Sequence, residues 1–139
     1  MGKKRLKSQL KTLTSPKKYV VGSIYVNPQT ERKHKIIYFK EDFNFIVGAG
    51  GREDFNIKLE GEGVKVFKWS FKILNSETIK FTITSSENKI FERKIDGTSE
   101  GEIDVIGEEV VLRWENDGWI RPRRVRVEWF VGEDVDVGV

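Results

Sequence analysis

The 139-residue chain has no cysteine, a single histidine, a single methionine and only three prolines. Without cysteine there is no disulfide, no thiolate nucleophile and no cysteine-based metal centre. One histidine, His34, leaves no histidine cluster to hold a metal. Its place at the start of a strand predicts a partly exposed structural residue. No apolar run is long enough to cross a bilayer. Nor does an apolar segment follow the basic start, as a signal peptide requires, so the sequence predicts a cytoplasmic or virion-associated protein. The 22 carboxylates fall in turns and outward positions, and no spacing among them suggests an acid/base pair. Gly48, Ala49, Gly50 and Gly51 lack the Lys-Ser/Thr ending and following helix of a phosphate loop, and they predict a turn. Together these absences predict no catalytic residue, no cofactor and no metal: a protein that is not an enzyme.

What the chain does have is an apolar side chain at every second position. Phe67, Trp69, Phe71 and Ile73 alternate with Val66, Lys68, Ser70 and Lys72. Ile79, Phe81 and Ile83 do so with threonines and Lys80, and Val125, Val127, Trp129 and Val131 with Arg124, Arg126, Glu128 and Phe130. Period two gives each strand one dry face and one wet face. Strands are predicted near residues 19–26, 34–39, 43–47, 54–59, 64–73, 78–84, 89–95, 102–106, 109–115 and 123–131. Turn residues such as Asn27-Pro28, Asp96-Gly97 and Asn116-Asp117-Gly118 separate them. Many short strands with one polar face argue for an all-β, antiparallel β-sandwich of the jelly-roll type. Trp69, Phe71, Phe81, Leu112, Trp114, Val127 and Trp129 are its expected core.

The net charge of +3 conceals an asymmetry. Lys3, Lys4, Arg5, Lys7, Lys11, Lys17 and Lys18 give residues 1–18 a charge of +7 with no acid, leaving the rest of the chain at −4. Glu133, Asp134 and Asp136 make a short acidic end. Residues 1–18 therefore form a basic N-terminal arm, flexible or a short helix carrying Leu6, Leu10 and Leu13, and residues 19–139 form the sandwich domain. The charged fraction of 34%, rich in Lys and Glu, points towards a thermophile.

The stretch from Val64 to Phe71, with its Trp69-Ser70-Phe71, is followed by Ile79-Lys80-Phe81-Thr82-Ile83. After Gly107 come Leu112-Arg113-Trp114-Glu115-Asn116 and then Val125-Arg126-Val127. In this order the motifs resemble those of the Golgi-dynamics (GOLD) domain. That resemblance implies a compact β-sandwich used for protein–protein contact. The chain departs from the membrane-bound members in lacking their signal peptide, cysteine pair, coiled coil and transmembrane helix.

Two regions are candidates for contact with a partner. The first is the arm, whose lysines suit phosphates of nucleic acid or anionic lipid, or an acidic neighbour in an assembly; a solvated tail is the plain alternative. The second is the final pair of strands. Trp119 and Ile120 lie between them, and Arg113, Arg124 and Arg126 are expected to share one outward face with Arg121 and Arg123 nearby. Trp119 is expected to fold over the open end of the sandwich and cap the core, and Glu115 and Glu128 to pair with the arginines across strands. The functional expectation is a non-enzymatic interaction or assembly module, binding another protein or itself, with electrostatic attachment through the arm. The alternatives are a nucleic-acid-binding or virion structural protein and a carbohydrate-binding module stacking sugars on Trp119, Tyr25 or Tyr38.

Overall fold

The alternating pattern becomes nine β-strands: β1 (Ile24–Val26), β2 (Lys33–Val47), β3 (Arg52–Lys58), β4 (Lys65–Ile73), β5 (Thr78–Ser85), β6 (Asn88–Asp96), β7 (Thr98–Val105), β8 (Glu109–Glu115) and β9 (Arg123–Asp134). The computed structural model describes residues 19–86 and 88–135, so the seven basic residues of the arm and Asp136 lie outside the described residues. A 3₁₀ turn at Leu74–Ser76 is the single helical element among the described residues. The strands form two antiparallel sheets, in the orders β1-β2-β9-β4-β7 and β3-β8-β5-β6. This is the expected β-sandwich.

Its core is the seam between the sheets. Phe67, Trp69, Phe71 and Ile73 of β4 and Val125, Val127, Trp129 and Val131 of β9 face Ile79, Phe81 and Ile83 of β5 and Val110, Leu112 and Trp114 of β8. Edge-to-face contacts tie the layers together, as between Phe71 and Phe81 (4.8 Å between centroids) and between Phe71 and Trp114 (5.6 Å). Trp69 satisfies its indole by donating to Ser99 Oγ (3.0 Å). The indole nitrogens of Trp114 and Trp129 are buried without a hydrogen-bond partner. Their ring burial must outweigh an unmet donor, roughly 1–3 kcal/mol each.

Three expectations change here. The strands expected at residues 34–39 and 43–47 are one strand, β2. The charged Lys40, Glu41 and Asp42 resemble a turn, but bulges between Ile36 and Tyr38 and between Lys40 and Phe43 carry β2 along β9 without a break. The first strand begins only at Ile24, because Val20 to Ser23 form a turn closed by Ser23 N donating to Val20 O (3.0 Å). Finally, the outward face of the first sheet is not uniformly wet. Phe130 points outward yet is fully buried, with Tyr19 and Tyr25 edge-on to it at 5.0 and 5.1 Å and Phe39 against Tyr19 at 5.2 Å. Ile36 and Val66 are buried on the same face. The β1–β2 hairpin makes this second apolar cluster by reaching across the sheet, where Asn27 Nδ2 donates to Glu102 of β7 (3.1 Å).

Candidate interaction surface

The chain changes sheet at most of its connections, and only β1–β2 and β5–β6 are hairpins within one sheet. β8 and β9 therefore lie in different sheets, and residues 116–122 span the end of the sandwich instead of closing a hairpin. The five arginines expected on one face are divided by this crossing. Arg113 lies on the second sheet and grips Asp54 through Nε (2.9 Å) and Nη2 (3.0 Å). That hydrogen bond holds the Asp54 carboxyl below the usual carboxylate range. Arg126 lies on the first sheet and donates from Nε to Asp42 (2.7 Å). Charge pairing across strands is thus found, with Asp42 and Asp54 as the acids.

Arg123 belongs to the frame. Its side chain is largely buried, pairs with Glu77 (2.8 Å) and donates to the carbonyls of Thr78 (3.0 Å) and Arg121 (2.9 Å). Arg121 and Arg124 are exposed and make no ion pair among the described residues. Arg52, which opens β3 at the same end, is also exposed.

The loop itself is anchored at its base. Asn116 is buried, and its Nδ2 donates to Val47 O (3.2 Å) and Arg121 O (2.8 Å) while its Oδ1 accepts from Gly118 N (2.9 Å). Two backbone bonds join the same loop to the β2–β3 turn: Gly50 N to Gly118 O (2.7 Å) and Asn116 N to Gly51 O (2.9 Å). Gly118 is confined, since a Cβ there would meet Arg123 Nη2 at 2.8 Å and Asn116 Oδ1 at 3.1 Å. With both shoulders held, the intervening residues are pushed into solvent. Trp119 is 86% exposed and Ile120 75% exposed. The capping role expected for Trp119 is therefore corrected: Val47, Trp114 and Asn116 already fill the end of the core. Ile46, opposite Arg124 on β2, adds a further exposed aliphatic group near the loop.

His34 departs most from expectation. It is fully buried, with Nδ1 3.0 Å from Asp134 and Nε2 3.0 Å from Glu102. Each ring nitrogen thus has a carboxylate partner, as burial demands. Arg32 extends the network by donating to Asp134 Oδ2 (2.8 Å) and Asp104 (3.2 Å). Two further charged groups flank it: Lys68, 3.0 Å from Glu100, and Lys65, 3.9 Å from Glu133. This network fastens the β1–β2 hairpin over the first sheet. No group of three or more His, Asp or Glu placed to hold a metal ion occurs among the described residues.

The sequence did not reveal the aliphatic strip of Val20, Val21, Ile24 and Val26, all exposed. Its signal was the uncharged Ile24-Tyr25-Val26 next to the Gly22 turn, where a three-residue strand leaves one face uncovered. Elsewhere, a cleft of about 620 Å³ opens between β2 and β3, floored by Ile37, Ile57, Leu59 and Val131 with Tyr38 and Glu60 at its mouth. No helix among the described residues is long and apolar enough to cross a membrane.

No protein-family model matches the chain. No curated protein matches it either. Among solved structures, dimeric latent PorU from Porphyromonas gingivalis is similar over 84% of this chain, with 9% identity and a TM-score of 0.40. The chain spans only 14% of the PorU chain. A CBM4 structure is similar over 84% of this chain and 81% of its own, with 9% identity and a TM-score of 0.37.

Proposed function

We propose that the protein is a non-enzymatic interaction module that binds a partner protein through the Trp119 end of the sandwich. The observation that carries this reading is the exposure of adjacent Trp119 and Ile120 on a loop held in place by the buried Asn116. Exposing two large apolar groups to water is costly, and a fixed loop loses little conformational entropy when it docks. Arg121 in the same loop and Arg124 at the start of β9 are exposed and make no ion pair among the described residues, which favours a partner with an acidic rim. The resemblance to GOLD domains agrees with such a role, and its motif residues Trp69, Phe71, Phe81, Leu112, Trp114 and Val127 all lie in the core.

The test is affinity purification with the intact protein after nuclease treatment, repeated with Trp119→Ala and Ile120→Ser. A genuine partner is a protein whose recovery falls with both variants and whose purified form binds the wild type more tightly. A central tryptophan of this kind is worth about 2 kcal/mol or more, roughly a thirty-fold change in Kd. Equal recovery by wild type and variants would remove the proposal. A second reading, stacking of a sugar on the exposed indole, draws on the same residue. It predicts a change in tryptophan fluorescence with one member of a glycan panel, abolished by Trp119→Ala.

A further inference from the structure

The β1–β2 hairpin covers part of the first sheet and leaves a polar cavity beside it. Lys68, Glu102 and Phe130 stand side by side on the outward face, and Glu100 shares that face two residues from Glu102 on β7. Above them Tyr25 packs on Phe130, and the hairpin turn reaches β7 through Asn27, which donates to Glu102, and Arg32, which donates to Asp104. The space between the turn, β4 and β7 is about 460 Å³, within the range of small-ligand sites. Its outer wall is braced. Asn27 Oδ1 accepts from Gln29 N (2.8 Å) and Thr30 N (3.2 Å), and Asn27 N donates to Arg32 O (2.9 Å). A wall already held in shape loses little conformational entropy when a ligand enters.

Lys68 sets the chemistry of this cavity. It is only 6% exposed, yet its ammonium makes one hydrogen bond, to Glu100 Oε1 (3.0 Å), and lies over the Tyr25 ring at 5.7 Å from the centroid. An ammonium has three donors, and Lys68 has no second acceptor among the described residues. Both oxygens of Glu102 are engaged, one by Asn27 Nδ2 (3.1 Å) and one at His34 Nε2 (3.0 Å), so the largely exposed Glu100 is the open carboxylate. The lining thus sets the cations Lys68 and Arg32 against the carboxylates Glu100 and Glu102, with the Gln29 amide at the turn. An anion entering here would meet the carboxylates, and a cation the lysine and arginine. A hydroxyl group answers both, because it accepts from an ammonium and donates to a carboxylate. Tyr25 and Pro28 add carbon surface in the same cavity, which suits the C–H face of a sugar ring. We propose that this cavity is a binding site for a neutral saccharide, with Lys68 and Glu100 as its principal hydrogen-bonding groups.

The site shares no residue with the Trp119 loop, so this inference does not depend on the proposed function. The experiment is isothermal titration calorimetry of the full chain with gluco-, xylo-, manno-, galacto- and N-acetylchito-tetrasaccharides, with glutamate and inorganic phosphate run beside them. Lys68→Met, Glu100→Gln and Trp119→Ala are titrated in parallel, and the fold of each is checked by its urea midpoint. Losing one hydrogen bond to a charged group weakens Kd about ten-fold or more. The proposal is supported by a saccharide whose binding ignores salt, as a neutral ligand's should, weakens by that factor in Glu100→Gln and in Lys68→Met, and is unchanged in Trp119→Ala. Should Lys68→Met lower the urea midpoint, Glu100→Gln decides, since its side chain is largely exposed. The proposal is overturned if no saccharide of the panel binds, if Glu100→Gln binds as the wild type does, or if glutamate or phosphate binds more tightly than every saccharide. Binding abolished by Trp119→Ala would overturn it too, because the sugar would then sit on the exposed indole. Partner recovery through Trp119 is read separately, so the two readings fail independently.

Discussion

Gly101 stands opposite Trp69 in the β4–β7 pair, and a Cβ there would lie 2.4 Å from Trp69 Cζ2. The ring is buried and its indole is held by Ser99, so it has no free direction in which to yield. Gly101→Ala should therefore destabilise by about 1–3 kcal/mol, the usual cost of overpacking, read as a lower urea midpoint with unchanged slope. Tyr19 offers a test by titration. Burial against Phe130 and Phe39, then the nearby charges of Glu128, Tyr25 and Glu100, push its phenol up to about 12. A folded pKa above the unfolded value contributes stability that is whole below about pH 10 and lost as the pH rises through about 12. Phenolate absorbance should thus show a late-ionising tyrosine that Tyr19→Phe removes. A titration lacking that late component would contradict the packing of Tyr19.

At the scale of elements, the loop 116–122 separates stability from exposure. Asn116 makes three hydrogen bonds from a buried position, whereas Trp119 makes no ring contact among the described residues. Asn116→Ala should cost about 1–3 kcal/mol, because Val47 O and Gly118 N lose their bonds to the Asn116 side chain and Arg121 O keeps only the one from Arg123. Trp119→Ala should change stability by no more than about 0.5 kcal/mol. Urea denaturation of the two variants measures the contrast, and similar losses in both would mean that Trp119 is part of the core. The loop was misjudged from sequence for a definite reason. Asn116-Asp117-Gly118 is good turn chemistry between two alternating strands, and local chemistry is the same whether the strands pair or part. What separates β8 from β9 is the placement of each beside distant strands, β5 and β3 for one, β4 and β2 for the other.

For the whole molecule, the two sheets bring distant segments into contact and leave two unlike ends. One carries the Trp119 tip with the exposed Arg121 and Arg124, the other the exposed Val20, Val21, Ile24 and Val26. At this second end the charged network of Arg32, His34, Glu102 and Asp134 fixes the β1–β2 hairpin. His34 and Asp134 are 100 residues apart in sequence, and His34 and Glu102 are 68 apart. Separations of that size leave no periodic trace, so the histidine looked like an ordinary residue at the edge of a strand.

The sequence by itself determined the class of the fold, most strand positions and the burial of Trp69, Trp114 and Trp129. It did so because period-two alternation is a local property: a strand with one apolar face has only one way to keep that face dry. The tertiary structure alone decided which sheet each strand joins. That assignment divided the arginines between two faces, covered Phe130 with Tyr19 and Tyr25, enclosed His34 between carboxylates and pushed Trp119 into water. These outcomes depend on contacts between distant segments, and a side chain's exposure is set by what arrives from elsewhere in the chain.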